Sequence, residues 1–259
     1  MRMLRKPRIR YKGVFYHPIE YRNRQKCEIV KPKSIYNRIR KEYTMTDGER
    51  YFEVFCNYHY LKYEKIEEKK DVRTPDYRLF IGDYLIITEV KDLESNKEDE
   101  KALKEFYEKG YVIWGGSKVG NRVRNKIIAS KDQLKRFTEN KYPSILLLFD
   151  HRNEITPTLT DYEIKIGMYG FEAIKINTND NPNLRKYGGK AQMTKNSRKY
   201  ISCIGLLTKE NNNKLFLKLY ENYYANIKIE YDIFEKYDDI SIFKLNVPPD
   251  KIYSNWASI

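Results

Sequence analysis

The sequence predicts an α+β fold, and three observations carry that expectation. A capping-box pattern, Thr46-Asp47-Gly48-Glu49, opens a stretch with apolar residues at Phe52, Phe55, Cys56 and Tyr60, which is helical spacing. Two β-rich runs flank Gly82-Asp83, a two-residue hairpin signal in which glycine supplies the positive φ. A continuous apolar run from Ile145 to Phe149 follows a long basic helical pattern and reads as a buried strand. The predicted order over residues 46–150 is helix, strand, hairpin, helix, strand.

The hairpin organises the chain. Arg73 to Ile81 leads in and Tyr84 to Lys91 leads out. With the turn at Gly82-Asp83, Ile81 faces Tyr84 and Asp76 falls opposite Glu89. Their side chains then share a face, with Cβ atoms roughly 5 Å apart. Lys91 lies two residues past Glu89 on that face, while Val90 points to the other and can enter the core. Opposed carboxylates repel and destabilise a sheet. A divalent cation such as Mg²⁺ or Mn²⁺ offsets the repulsion, because such cations take carboxylate oxygens. With the Lys91 ammonium beside it, the group suits attack of metal-activated water on a phosphodiester.

Pro75-Asp76 followed by Glu89-Val90-Lys91 resembles the signature of the PD-(D/E)xK nuclease superfamily. The resemblance covers roughly residues 46–150. It implies a restriction-endonuclease-like mixed central sheet flanked by helices. It also implies a Mg²⁺- or Mn²⁺-dependent phosphodiesterase with metal at Asp76 and Glu89 and with Lys91 placing the water. The superfamily often adds a glutamate from the helix before the hairpin. Glu49 fits that place best and Glu53 second, although a capping-box glutamate already has a structural role. Gln133-Leu134-Lys135-Arg136-Phe137 resembles the Gln-x-x-x-Tyr element of the RecB-like branch, which implies that Gln133 orients substrate or water. Phe137 replaces the tyrosine, so any role of its hydroxyl is lost. The plain alternative is a surface hairpin with solvated charges. The inward-reading Leu79, Ile81, Ile86 and Val90 argue instead for a central hairpin.

Composition bounds the function. The 259 residues carry a formal net charge of +14, which favours polyanionic partners. The 24 tyrosines, with abundant Lys, Asn and Ile, fit an AT-rich coding bias. No apolar run approaches the roughly 20 residues that span a bilayer. The basic N-terminus lacks the apolar segment of a signal peptide, so a soluble cytoplasmic protein with no membrane partner is expected. Cys27, Cys56 and Cys203 form no CxxC pair, which speaks against a zinc site or a disulfide framework. His17, His59 and His151 are too dispersed for a His-metal enzyme.

Three regions are expected: a basic arm (1–45), the nuclease core (46–150) and a β-rich C-terminal accessory region (151–259). In the first forty residues thirteen Lys or Arg stand against two Glu, interleaved with Tyr11, Phe15, Tyr16, Tyr21 and Tyr36. That pattern suits phosphate contact with stacking on unpaired bases. Between the hairpin and the last core strand, residues 93–109 read as a charged helix opening an insertion. Residues 121–137 read as one long helix whose cationic face carries Arg122, Arg124, Lys126, Lys131, Lys135 and Arg136. After 150, runs at 199–207 and 214–220 read as a hairpin turning at 210–213, with a further strand over 222–231. These run as accessory lobe or as outer strands of the same sheet. An Asn-rich loop, 177–183, precedes Arg185, Lys186 and Lys190. The expected function is metal-dependent phosphodiester hydrolysis, with DNA favoured over RNA. The alternative is a non-catalytic nucleic-acid-binding module, or a structural subunit of a nucleoprotein complex, on the same scaffold. A homodimer or a larger nucleoprotein complex is left open.

Overall fold

The fold starts from a helix end that satisfies itself. Thr46 Oγ1 accepts the Glu49 N–H at 3.2 Å, and Glu49 Oε2 accepts the Thr46 N–H at 2.8 Å. Two of the otherwise orphaned N–H groups at a helix start are thereby paired. In the computed structural model, helix α1 spans Asp47–Tyr58 and buries Phe52, Phe55 and Cys56. Tyr60 lies past its end, left-handed at φ 54° and 96% exposed, so it is not part of the apolar stripe. The structure describes residues 45–259 apart from 69, 114–117, 139–140, 153–155, 157, 176–183, 211–212, 252–255 and 259. The basic arm and the Asn-rich loop lie outside the described residues.

Strand β1 (Lys62–Lys65) pairs with β2 (Tyr77–Ile81), and β2 pairs antiparallel with β3 (Tyr84–Glu94). The hairpin has the predicted register, with Ile81 opposite Tyr84 and Tyr77 opposite Thr88. Gly82 supplies φ +59°, and Asp83 keeps a negative φ. Strand β3 runs three residues beyond Lys91 before Asn96 caps α2 (Lys97–Lys109). The expected long helix is two: α3 (Asn121–Ala129) and α4 (Lys131–Thr138). They break at Ser130, whose Oγ donates to the Ile127 carbonyl. The predicted cationic face is also divided. Arg124 is buried and donates to the carbonyls of Ile166 and Val119, and Arg122 is paired with Asp99 at 2.6 Å.

Strand β4 (Ser144–His151) lies parallel to β3, with Glu89 beside Leu146 and Lys91 beside Leu148. Its first six residues are buried, and each buried Leu, Ile or Phe contributes about 1.5–3 kcal/mol. Helix α5 (Asp161–Tyr169) follows, then an antiparallel pair, β5 (Phe171–Lys175) with β6 (Leu184–Gly188). Strands β7 (Cys203–Lys209), β8 (Leu215–Glu221), β9 (Ile240–Leu245) and β10 (Trp256–Ser258) continue the main sheet. Its order is β1-β2-β3-β4-β7-β8-β9-β10, mixed parallel and antiparallel, and residues 45–259 cluster as one unit. Residues 222–230 form turns rather than the expected strand, and Tyr231–Phe234 is a 3₁₀ turn. One face of the sheet packs under α1 and this 3₁₀ turn, the other under α3, α4 and α5.

Helix α1 approaches the sheet at Gly48. A Cβ there would lie 2.0 Å from Asp92 Oδ1, 3.0 Å from Val90 Cγ1 and 3.1 Å from Phe149 Cβ. Alanine favours an exposed helix by about 1 kcal/mol over glycine. Overpacking should win here, so Gly48→Ala is expected to lower the unfolding free energy by about 1–3 kcal/mol in a urea titration.

Candidate functional site

The hairpin register places Asp76 one residue before the paired Tyr77, beside Glu89. The Val90 N–H donates to Asp76 Oδ2 at 2.7 Å and fixes the carboxylate at the end of the ladder. Glu89 is fully buried and forms an ion pair with Lys91 through Oε1. The Asp76 and Glu89 side chains are in hydrogen-bond contact with each other. Ile87 and Leu93, on the Glu89 side of β3, belong to the core beneath α3–α5, while Val90 packs in the core beneath α1. The expected alternation of Glu89, Val90 and Lys91 is therefore present.

The electrostatics follow from the burial. Burial pushes the Asp76 carboxyl up, against the Val90 N–H and the Lys91 charge, and the Glu49 charge adds to the rise. Burial pushes the Glu89 carboxyl up as well, the Asp76 charge pushes it further, and Lys91 opposes. Two carboxylates facing one ammonium cannot both ionise cheaply, so the pair holds a proton between them.

A cleft of about 490 Å³ opens beside Asp76, walled also by Glu49, Lys65, Thr74 and Gln133. Glu49 is buried, and its Oε1 lies 3.4 Å from Lys65 Nζ. Glu53 is bound elsewhere, accepting from Tyr77 Oη at 2.8 Å and Tyr63 Oη at 3.4 Å, and does not line the cleft. Gln133, on α4, donates to the Thr74 carbonyl at 3.3 Å. The structure thus brings Asp76, Glu89 and Lys91 together, with Glu49 and Gln133 on the wall of the adjoining cleft. Among the described residues, no three His, Cys, Asp or Glu side chains converge into a ready-made metal cage. The pair Asp76 and Glu89 nonetheless fits a hard cation. Its donors are carboxylate oxygens, and a cation taking the place of the shared proton would relieve their mutual repulsion.

Two further cations stand by the site: Lys65, which the sequence does not mark, and Lys126, which it marks as part of a cationic helix face. Lys65 lies on the cleft wall. Lys126 has its ammonium pushed down by burial and next by the charge of Lys91, which places it within electrostatic reach of that lysine. His151 belongs to a different surface, with Nδ1 2.7 Å from Asp47 Oδ2 at the ends of β3 and β4. Cys56 and Cys203 are buried, and burial pushes both thiols up, away from nucleophilic use.

Comparison with protein-family models, with curated proteins and with solved structures finds no match to this chain.

The raised carboxyls set a sign for stability. A carboxyl whose folded pKa exceeds its unfolded value binds more protons when folded. Stability is then fullest below the ordinary carboxylate range and falls as pH rises toward the folded pKa. Removing one charge relieves this. Asp76→Asn keeps an oxygen for the Val90 N–H and leaves the Glu89–Lys91 pair intact. Its expected effect is a gain of about 1–2 kcal/mol at pH 8, shrinking toward zero near pH 4, in denaturant titrations without metal.

Proposed function

We propose that the chain is a metal-dependent nuclease of the PD-(D/E)xK type, built on a restriction-endonuclease-like core, that hydrolyses phosphodiester bonds of nucleic acid, DNA favoured over RNA. The observation that carries this reading is the buried Glu89 paired with the half-buried Asp76 and held against the Lys91 ammonium at the side of a polar cleft. A sheet interior is a costly place for the Glu89 carboxylate, the more so with Asp76 beside it, and a purely nucleic-acid-binding surface has no need of the pair.

Asp76 and Glu89 would hold Mg²⁺ or Mn²⁺, with Glu49 as the nearest further carboxylate. Bound there, the cation supplies a water ionised near neutral pH and charge stabilisation on the phosphoryl oxygens. Lys91 donates a hydrogen bond to the attacking water or to a phosphoryl oxygen on which negative charge develops. Gln133 turns its amide to the substrate or the water across the cleft. Lys65 and Lys126 add positive potential where the phosphate enters. Asp76 and Glu89 would have to be ionised to hold the cation, so its binding would release the proton they share.

A cytoplasmic location is part of the same proposal. Among the described residues no helix is long and apolar enough to cross a membrane. A single site of this kind cuts one strand, so a concerted double-strand break calls for a second copy.

Two outcomes test the reading. Labelled DNA and RNA substrates should be cut with Mg²⁺ or Mn²⁺, and not with EDTA. Asp76→Asn and Lys91→Ala should each lower the rate by about 10²-fold or more while remaining folded. Wild-type rates in both variants would sink the proposal. Cation binding should also release protons, because the carboxyls are pushed up. Titration calorimetry in buffers of different ionisation enthalpy should show that release near neutrality, with affinity rising as pH rises, and Asp76→Asn should reduce both.

A further inference from the structure

A second cleft, also of about 490 Å³, lies on the other flank of α4. Its walls carry Lys131 and Lys135 from α4, and Arg198, Lys199 and Tyr200 from the loop before β7. No acidic side chain lines it; the nearest is Asp132, whose charge reaches Tyr200. Lys131, Lys135 and Lys199 have no ion pair among the described residues, and the three ammoniums are exposed. The Arg198 Nε–H and the Tyr200 hydroxyl are buried donors without a partner. Arg198 holds a left-handed φ of 53°, and its guanidinium is tied to the Gln192 carbonyl at 3.0 Å. Left-handed backbone costs a non-glycine residue about 1–2 kcal/mol, so this loop is held in place rather than relaxed. Cations without counter-ions and donors without acceptors together describe a site for an anion with several oxygens.

Helix α4 connects this cleft to the other. Lys131 and Lys135 are four residues apart and share a face, whereas Gln133 stands on a different one, at the Asp76 cleft. The two clefts are then about 10 Å apart, one helix diameter. A nucleic-acid strand crosses that span within a few nucleotides. We infer that the basic cleft of Lys131, Lys135, Arg198 and Lys199 grips the backbone phosphates of the nucleic-acid strand a few nucleotides from the bond at Asp76. The inference rests on the nuclease reading for what lies at the Asp76 end of the strand. The grip itself does not depend on cleavage.

The test measures binding and cutting separately, on the full chain. Anisotropy of a labelled single-stranded oligonucleotide, in EDTA and across a salt series, gives the slope of log affinity against log salt. Each phosphate contact to a single strand contributes about 0.7 to that slope. Lys131→Ala/Lys135→Ala should flatten it by about 1.4, and Lys131→Arg/Lys135→Arg should retain it. Lys101→Ala/Lys236→Ala, outside the cleft, should leave it unchanged. Asp76→Asn should keep the slope while losing cleavage, and the double alanine variant should raise KM about tenfold with kcat retained. An unchanged slope in Lys131→Ala/Lys135→Ala would overturn the inference. So would the absence of any binding by the wild type, or displacement of the oligonucleotide equally well by poly-glutamate of matched charge. A flattened slope in a protein that cuts nothing would leave the grip standing and remove the nuclease reading.

Discussion

A fully buried carboxylate, Glu89, set beside the half-buried Asp76 and one ammonium sets the terms for the rest of this structure. Asp76 and Glu89 repel, and the interior offers them little solvation. The scaffold holds them there by force of packing. Strand β4 walls the site with Leu146 and Leu148 in register with Glu89 and Lys91. Helix α1 comes close enough at Gly48 for its backbone N–H to donate to Asp92 Oδ1 at 2.8 Å, which pins the helix to β3 just past the site. The juxtaposition of Asp76 and Glu89 in turn needs the β2–β3 register, since a slip of one residue would put the two carboxylates on opposite faces.

The same low dielectric works in two directions. It raises the carboxyls and makes the empty pair a liability for stability. It would also strengthen the hold on any cation or phosphate placed against Glu89, where burial limits screening by water. A site that is poor for stability and good for charge stabilisation is the usual signature of functional placement. Around it the cations divide by job. Arg122 and Arg124 serve the fold, bonded to Asp99 and to backbone carbonyls. Lys65 and Lys126 stand near the carboxylates, and α4 carries its lysines on the side away from Gln133.

What could be read in the sequence was set locally. The Gly82 turn dictates strand register within a few residues, so the juxtaposition of Asp76 and Glu89 followed from spacing alone. The capping box needs four residues, and β4 announces itself by continuous apolar composition. What could not be read depends on contacts distant in sequence. The break at Ser130 has no Pro or Gly to mark it, and helical periodicity runs across it. Arg124 looks like part of a solvated cationic face until α5 supplies the Ile166 carbonyl. The 222–230 segment has strand-like composition, but Asn222 Nδ2 donates to the carbonyls of Arg198 and Ile201, and the chain turns there. Lys65 is an ordinary strand lysine in the sequence, and only the fold brings it to Glu49.

The most direct test of the central claim is to grow crystals in Mn²⁺ and map its anomalous scattering. The account predicts a peak between the Asp76 and Glu89 carboxylates, with the Lys91 ammonium released from Glu89, and no such peak in Asp76→Asn. A wild-type map with that position empty at saturating Mn²⁺ and the Glu89–Lys91 pair still closed would contradict it.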